Sequence, residues 1–228
     1  MERVITHRGS FPALVIVPHG HDDTHTGAIG EAIIEAIDAY AVINKGWERA
    51  DAYDYYKDKA NCNDINHIHE DVVREEFLEP ILNFTNSIYN VETPCLFIIH
   101  GVSNSVRKEV NDNLDAIIGY GEGNTPSYSC DLQFKDALMN IMFLKGINVY
   151  QGKAGGKYSA RRKNNLNQLY RSDLYYDDVI NSVQIEIVRE LRENEETARE
   201  TGLVLGTIIK EVVQTWTEDR EEADFPAI

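Results

Sequence analysis

The chain has 228 residues, of which 43% are hydrophobic and 26% charged, with a formal net charge of −16. Those proportions belong to a globular chain long enough to bury one sizeable core, which excludes disordered and fibrous classes, and the acidic balance argues against a nucleic-acid binder, whose affinity comes from Lys and Arg on phosphates. The apolar runs fall well short of the ~20 residues of a membrane span and the N-terminus lacks a charged-then-apolar leader, so the expectation is one domain over residues 1–228, cytoplasmic and without a membrane partner.

In chain order, Pro12–Val17 (PALVIV) reads as a buried strand, a short β-branched run bounded by Pro and Gly. The loop PHGHDDTHTG follows, and then a helix in which Ile29, Ala32, Ile33, Ala36 and Ile37 recur at helical spacing. Ala39–Ile43 is a second strand, leading into NKGW and a polar, aromatic stretch at 45–67 that reads as a functional loop. His69–Tyr89 is amphipathic and helical, with Pro80 as a kink. CLFIIHG at 95–101 is another near-continuous apolar strand. Strands are also expected at Ile117–Tyr120, Ile147–Tyr150 and Val183–Val188, and helices at 131–144 and Thr197–Trp216, with an acidic, loosely held tail at 217–228. Strands alternating with helices predict a three-layer α/β/α architecture around a mixed, mostly parallel sheet. In such sheets ligands collect beyond the carboxyl ends of the strands.

Three features carry chemistry. His19, His21, Asp22, Asp23 and His25 place five nitrogen or oxygen donors within seven residues directly after a buried strand, a composition suited to zinc. His100 closes a second apolar strand and, like His19, is followed by Gly. If the two strands are neighbours, the imidazoles converge on one ion. Glu186 alternates with Ile185 and Ile187 on a strand that should be buried. A carboxylate there is either paired, with Arg189 as the near candidate, or poised with a raised pKa for proton transfer. Separately, residues 153–171 carry +6 with no Asp or Glu, whereas the rest of the chain carries −22. That contrast can focus a small anion. Cys62, Cys95 and Cys130 are odd in number and lack metal-ligand spacing, so they are expected as buried free thiols.

PHG, VINKGW, NCNDINH, IHG and VQIEIVRELR occur in an order that resembles the N-formylglutamate amidohydrolase family, whose fold is akin to zinc carboxypeptidases; the resemblance runs from about Val15 to Val213. It implies zinc held by His19, His100 and a carboxylate soon after His19. Asp22 fits the His-x-x-acid spacing, with Asp23 as the alternative. It also implies Glu186 as general base and acid. Two departures stand out: Lys45 and Asp64 occupy positions where the family carries Arg. Asn63, Lys45 and, from the basic segment, Arg161 and Arg162 are then the candidates for holding the substrate's carboxylate. The implied activity is cleavage of an amide bond in a small acidic substrate. The alternatives are a carboxypeptidase-like peptidase or poly-γ-glutamate hydrolase, or a non-catalytic binding protein that has kept the fold.

Overall fold

A computed structural model describes residues 2–171 and 180–224, with side chains through Thr217. Seven strands form one sheet: β1 (Val4–His7), β2 (Phe11–Val17), β3 (Ala39–Asn44), β4 (Cys95–Val102), β5 (Ala116–Gly119), β6 (Val149–Gln151) and β7 (Asn181–Val188), in the order β1-β3-β2-β4-β7-β5-β6. The inner four, β3, β2, β4 and β7, are parallel. β1 and β5 run antiparallel to their neighbours β3 and β7, and β6 is parallel to β5. The expected mixed, mostly parallel sheet is present. β1 was not anticipated, because its four residues alternate without a long apolar run.

The central strands are buried on both faces, which explains their near-continuous Val, Ile and Leu content. On one face Val15, Phe97, Ile99 and Ile185 meet α1 (Thr26–Ile37), α5 (Leu132–Leu144) and α6 (Glu195–Asp224). On the other, Leu14, Ile16, Leu96 and Ile98 meet Trp47 and the helical run containing α2 (Ile65–Ile68), α3 (Asp71–Val73) and α4 (Glu79–Tyr89). Each fully buried aliphatic side chain contributes about 1.5–3 kcal/mol. Burial of this kind holds the strand ends where the polar loops emerge.

Pro80, expected as a kink, sits in the first turn of α4, preceded by a wider π turn over Arg74–Leu78, a local winding that accommodates a residue unable to donate its backbone hydrogen bond. One expectation needs correction: the closing helix continues through Asp224, eight residues past the expected end at Trp216, so residues 217–224 extend α6 rather than forming a separate tail; 225–228 lie outside the described residues. Cys62, Cys95 and Cys130 are buried, and burial pushes the Cys62 and Cys130 thiols up, away from thiolate chemistry. Among the described residues no helix is long and apolar enough to cross a membrane.

Candidate active site

β2 has β3 on one side and β4 on the other, so the chain changes direction across the sheet at the β2–β4 seam, the position at which parallel sheets open a crevice at their carboxyl ends. His19 follows β2 by two residues, and His100 lies near the end of β4. His100 is the register partner of Glu186 on β7, which puts both side chains on the same face of adjacent strands. The imidazoles of His19 and His100 stand with ring centroids 5.2 Å apart. They share a cavity of about 530 Å³ with Asp23, Glu186, Arg49 and Asn63.

Local chemistry holds this loop cluster in place. Asn44 donates to the carbonyls of Pro18 and Trp47, both at 2.8 Å, and accepts from the amides of Gly46 and Trp47 at 3.1 and 2.8 Å, so one buried amide pins the turn bearing His19 to the NKGW turn. Each glycine after a site histidine is required by close approach. A Cβ on Gly20 would lie 2.4 Å from the Asn44 carbonyl oxygen, and one on Gly101 would lie 2.4 Å from the Arg192 guanidinium carbon. Asp23 is turned inward by backbone bonds from its own amide to His19 O (2.7 Å) and from Thr26 N to its carbonyl (3.0 Å). Its Oδ2 accepts from Gly101 N at 3.1 Å and stands 3.8 Å from His100 Nδ1.

The electrostatics follow from burial. Burial, with the neighbouring His100, pushes the His19 imidazole down to about 3, so it is a neutral donor of a lone pair at ordinary pH. Burial alone would raise the Asp23 carboxyl, but His100 and the Gly101 amide outweigh it and hold the group below the usual carboxylate range. Burial raises the Glu186 carboxyl, opposed by the nearby His100 and reinforced by Asp23. Glu186 Oε1 accepts from Gln184 Nε2 at 2.9 Å, and Gln184 Oε1 in turn accepts from Asn165 Nδ2 at 3.3 Å. Two buried ring nitrogens, His19 Nδ1 and His100 Nε2, have no hydrogen-bond partner. An orphaned buried nitrogen on each of two facing imidazoles, beside a carboxylate kept ionised, fits a divalent cation of borderline softness. Among the described residues, however, no group of three or more His, Cys, Asp or Glu side chains is already closed around a common point.

Of the residues anticipated from sequence, His19, His100, Glu186 and Asn63 share this cavity and Asp22 does not. The Asp22 carboxylate turns to the Arg49 backbone amide, which donates to it at 2.7 Å, and Asp23 occupies the inward position. His21 is exposed, and His25 Nδ1 meets the Arg192 carbonyl at 3.0 Å. Lys45 pairs with Glu31 at 2.8 Å and does not line the cavity. Arg161 and Arg162 line a different cavity, and from the basic segment Lys157 is the cation that reaches this one. Arg189, the proposed partner of Glu186, lines a groove with Asn104, Glu190 and Glu193 instead. Asp64 caps α2 and binds Asn164 Nδ2 at 2.6 Å, a structural role.

Two arginines went unrecognised. Arg49 lines the cavity beside His19. Its one sequence signal was isolation, as the sole arginine between Arg8 and Arg74, inside the loop flagged as functional. Arg192 is 4% exposed and donates to three backbone carbonyls: Ile187 (3.1 Å), Thr24 (2.7 Å) and Val102 (3.0 Å). Those carbonyls belong to β7, the His19 loop and β4, so one guanidinium fork ties together the segments that carry the site. Arg192→Met should strand three buried acceptors at about 1–3 kcal/mol each. A net loss of about 3 kcal/mol lowers Tm by roughly 6–12 °C in a chain of this size, and a thermal melt within 2 °C of wild type would remove the clamp role.

By sequence, no protein-family model and no curated protein matches the chain. By structure it is similar to N-formylglutamate amidohydrolase from Ralstonia eutropha JMP134, with a TM-score of 0.63 over 96% of this chain and 99% of that one, at 14% identity. It is also similar to a bacteriophage poly-gamma-glutamate hydrolase, with a TM-score of 0.51 over 93% of this chain and 88% of the other, at 14% identity. A metallo-carboxypeptidase from Pseudomonas aeruginosa superposes at 0.57 and 11% identity over 92% of this chain, which spans 60% of that enzyme. At these identities the likeness establishes a common fold, the zinc carboxypeptidase-like α/β/α arrangement expected from the sequence.

Proposed function

We propose that the chain is a zinc-dependent amidohydrolase cleaving a C–N bond in an acidic substrate, of the N-formyl- or N-acyl-glutamate type or a γ-glutamyl amide. The observation that carries this reading is the meeting of three strand ends at one cavity, where His19, His100 and Asp23 face Glu186, a carboxylate bonded to an amide rather than to a cation. The hydrolases that share the fold support it.

His19, His100 and Asp23, in place of Asp22, would hold the metal. A divalent cation supplies Lewis acidity towards the scissile carbonyl and lowers the pKa of water. The protein's own part is proton transfer and orientation. Glu186, made more basic by burial, takes the proton of the attacking water and delivers it to the departing nitrogen. Gln184 holds Oε1, which leaves Oε2 to move the proton. Arg49 offers a guanidinium fork to a substrate carboxylate, a geometry that Lys45 could not provide even if it faced the cavity. The Asn63 Oδ1 atom is buried without a partner and is placed to accept from a substrate N–H.

The test is to strip the purified protein with chelator, restore zinc, and measure both metal content and release of product from N-formyl-glutamate, N-acetyl-glutamate and γ-glutamyl amides. Near-stoichiometric zinc and turnover, both lost in the His19→Ala, His100→Ala double variant, are expected. A protein that takes up no metal yet binds these ligands would overturn the enzymatic reading in favour of a binding protein.

A further inference from the structure

Two amides line the same cavity as Glu186: Gln184, on β7, and Asn165, which caps the short helical turn Leu166–Gln168. A side-chain amide has a donating end and an accepting end, so a row of amides can run in either of two directions. Here the direction is imposed from outside the row. The Asn167 backbone N–H, which can only donate, meets Asn165 Oδ1 at 2.8 Å. Asn165 then turns Nδ2 forward and donates to Gln184 Oε1 at 3.3 Å. Gln184 in its turn presents Nε2 to Glu186 Oε1 at 2.9 Å.

The foot of the row is rigid. Asn167 is 1% exposed; its Nδ2 donates to Ser129 Oγ (2.6 Å) and Gly119 O (3.3 Å), and its Oδ1 accepts from Ser182 Oγ (2.8 Å). The segment bearing Asn165 is also tied to the loop that brings Asn63 into the cavity. Leu166 N donates to Asn63 O at 3.1 Å and Ile65 N to Asn164 O at 2.8 Å. One short segment therefore sets both the amide that faces Glu186 and the position of Asn63. Were the row to run the other way, Gln184 Oε1 would face a carboxylate oxygen, two acceptors opposed in a buried site.

We infer that Asn165 is a positioning residue for the proposed reaction: by fixing the direction of the amide row it keeps an N–H on Glu186 Oε1 and confines proton transfer to Oε2. This rests on the reading of Glu186 as the general base, and it gives Asn165 an effect on a group it does not touch. A role in capping alone would have a different signature, because Asp caps as well as Asn and Ala does not.

The experiment turns on Asn165→Asp, which keeps the bond from the Asn167 amide and has no hydrogen to donate. Gln184 then turns its Nε2 towards the new carboxylate and its oxygen towards Glu186, and the base loses its clamp. Turnover is measured with the zinc-loaded full chain on N-formyl-glutamate, N-acetyl-glutamate and a γ-glutamyl amide. On whichever of these wild type cleaves, kcat should fall about 10–100-fold in Asn165→Asp. It should fall less in Asn165→Ala, which leaves Gln184 free to keep its bond to Glu186, even though Asn165→Ala melts lower. Repulsion of an acidic substrate by the added charge is read separately, in KM. A kcat for Asn165→Asp equal to wild type, or above that of Asn165→Ala, overturns the inference.

Thermal melts of the metal-free protein at pH 8 decide the point without turnover. Asn165→Asp should lower Tm by about 3 °C or more in the wild-type background. The loss should be clearly smaller in the Glu186→Gln background, where the amide at position 186 can donate to a reversed Gln184. Direct repulsion between two carboxylates would give the same difference with or without Gln184, so in a Gln184→Met background the difference should disappear. Equal losses in the two backgrounds, or a difference that survives Gln184→Met, overturns the inference. Absence of turnover on all three substrates, with the Tm pattern as expected, counts against the proposed reaction and supports the directed row of amides.

Discussion

Glu186→Gln should lower kcat by about 10²–10⁴-fold, the range for removing a positioned general base, while making the metal-free protein more stable at pH 7–8. The two effects share a cause. Burial raises the carboxyl pKa above its unfolded value of about 4.3. A group with a raised folded-state pKa binds its proton more tightly when folded, so the charge-related stability present at low pH is lost as pH rises through the folded value. Wild type therefore bears a penalty at neutral pH that the amide escapes, and the amide oxygen can still accept from Gln184. Thermal melts of the chelated proteins should coincide near pH 4 and diverge with rising pH, the variant melting higher. A variant that melts lower at pH 7.5, or that keeps wild-type turnover, would show that Glu186 is a structural carboxylate.

The second large effect separates two adjacent aspartates. Asp23→Asn should weaken zinc binding by more than about 100-fold and abolish turnover, since even residues that merely orient a ligand are worth 10–100-fold. Asp22→Asn should leave both close to wild type, because the bond it makes is accepted from the Arg49 amide, and an Asn Oδ1 can accept it equally well. Metal content after dialysis and zinc titration against a competing chelator give the answer directly. The reverse pattern, with zinc lost in Asp22→Asn and retained in Asp23→Asn, would return the ligand role to the His-x-x-acid spacing.

That contrast illustrates where sequence spacing stops being informative. Five donors between His19 and His25 were legible as a cluster, but which of them faces the cavity depends on how the turn closes. Thr26 N and Asp23 N bond back within the loop, Arg49 N captures Asp22, and Gly101 N captures Asp23. Two of these contacts come from residues 27 and 78 positions away. Arg192 is a similar case: as one of several charges in RELRE it looks solvated, yet its three acceptors lie on segments that meet only in the folded chain.

What the sequence determined by itself was the layered α/β fold and the presence of His19, His100 and Glu186 at strand ends. A strand buried on both faces must be apolar throughout, so each polar interruption is visible as an exception, and the exceptions mark the crevice. Only the tertiary structure decided that Asp23 rather than Asp22 turns inward, that Arg49 lines the crevice while Lys45 is engaged by Glu31, and that Arg161 and Arg162 line a neighbouring cavity. The physical reason is the reach of polar side chains. Charged and amide groups take the partners offered by loops distant in sequence, whereas apolar strands are specified by their own periodicity.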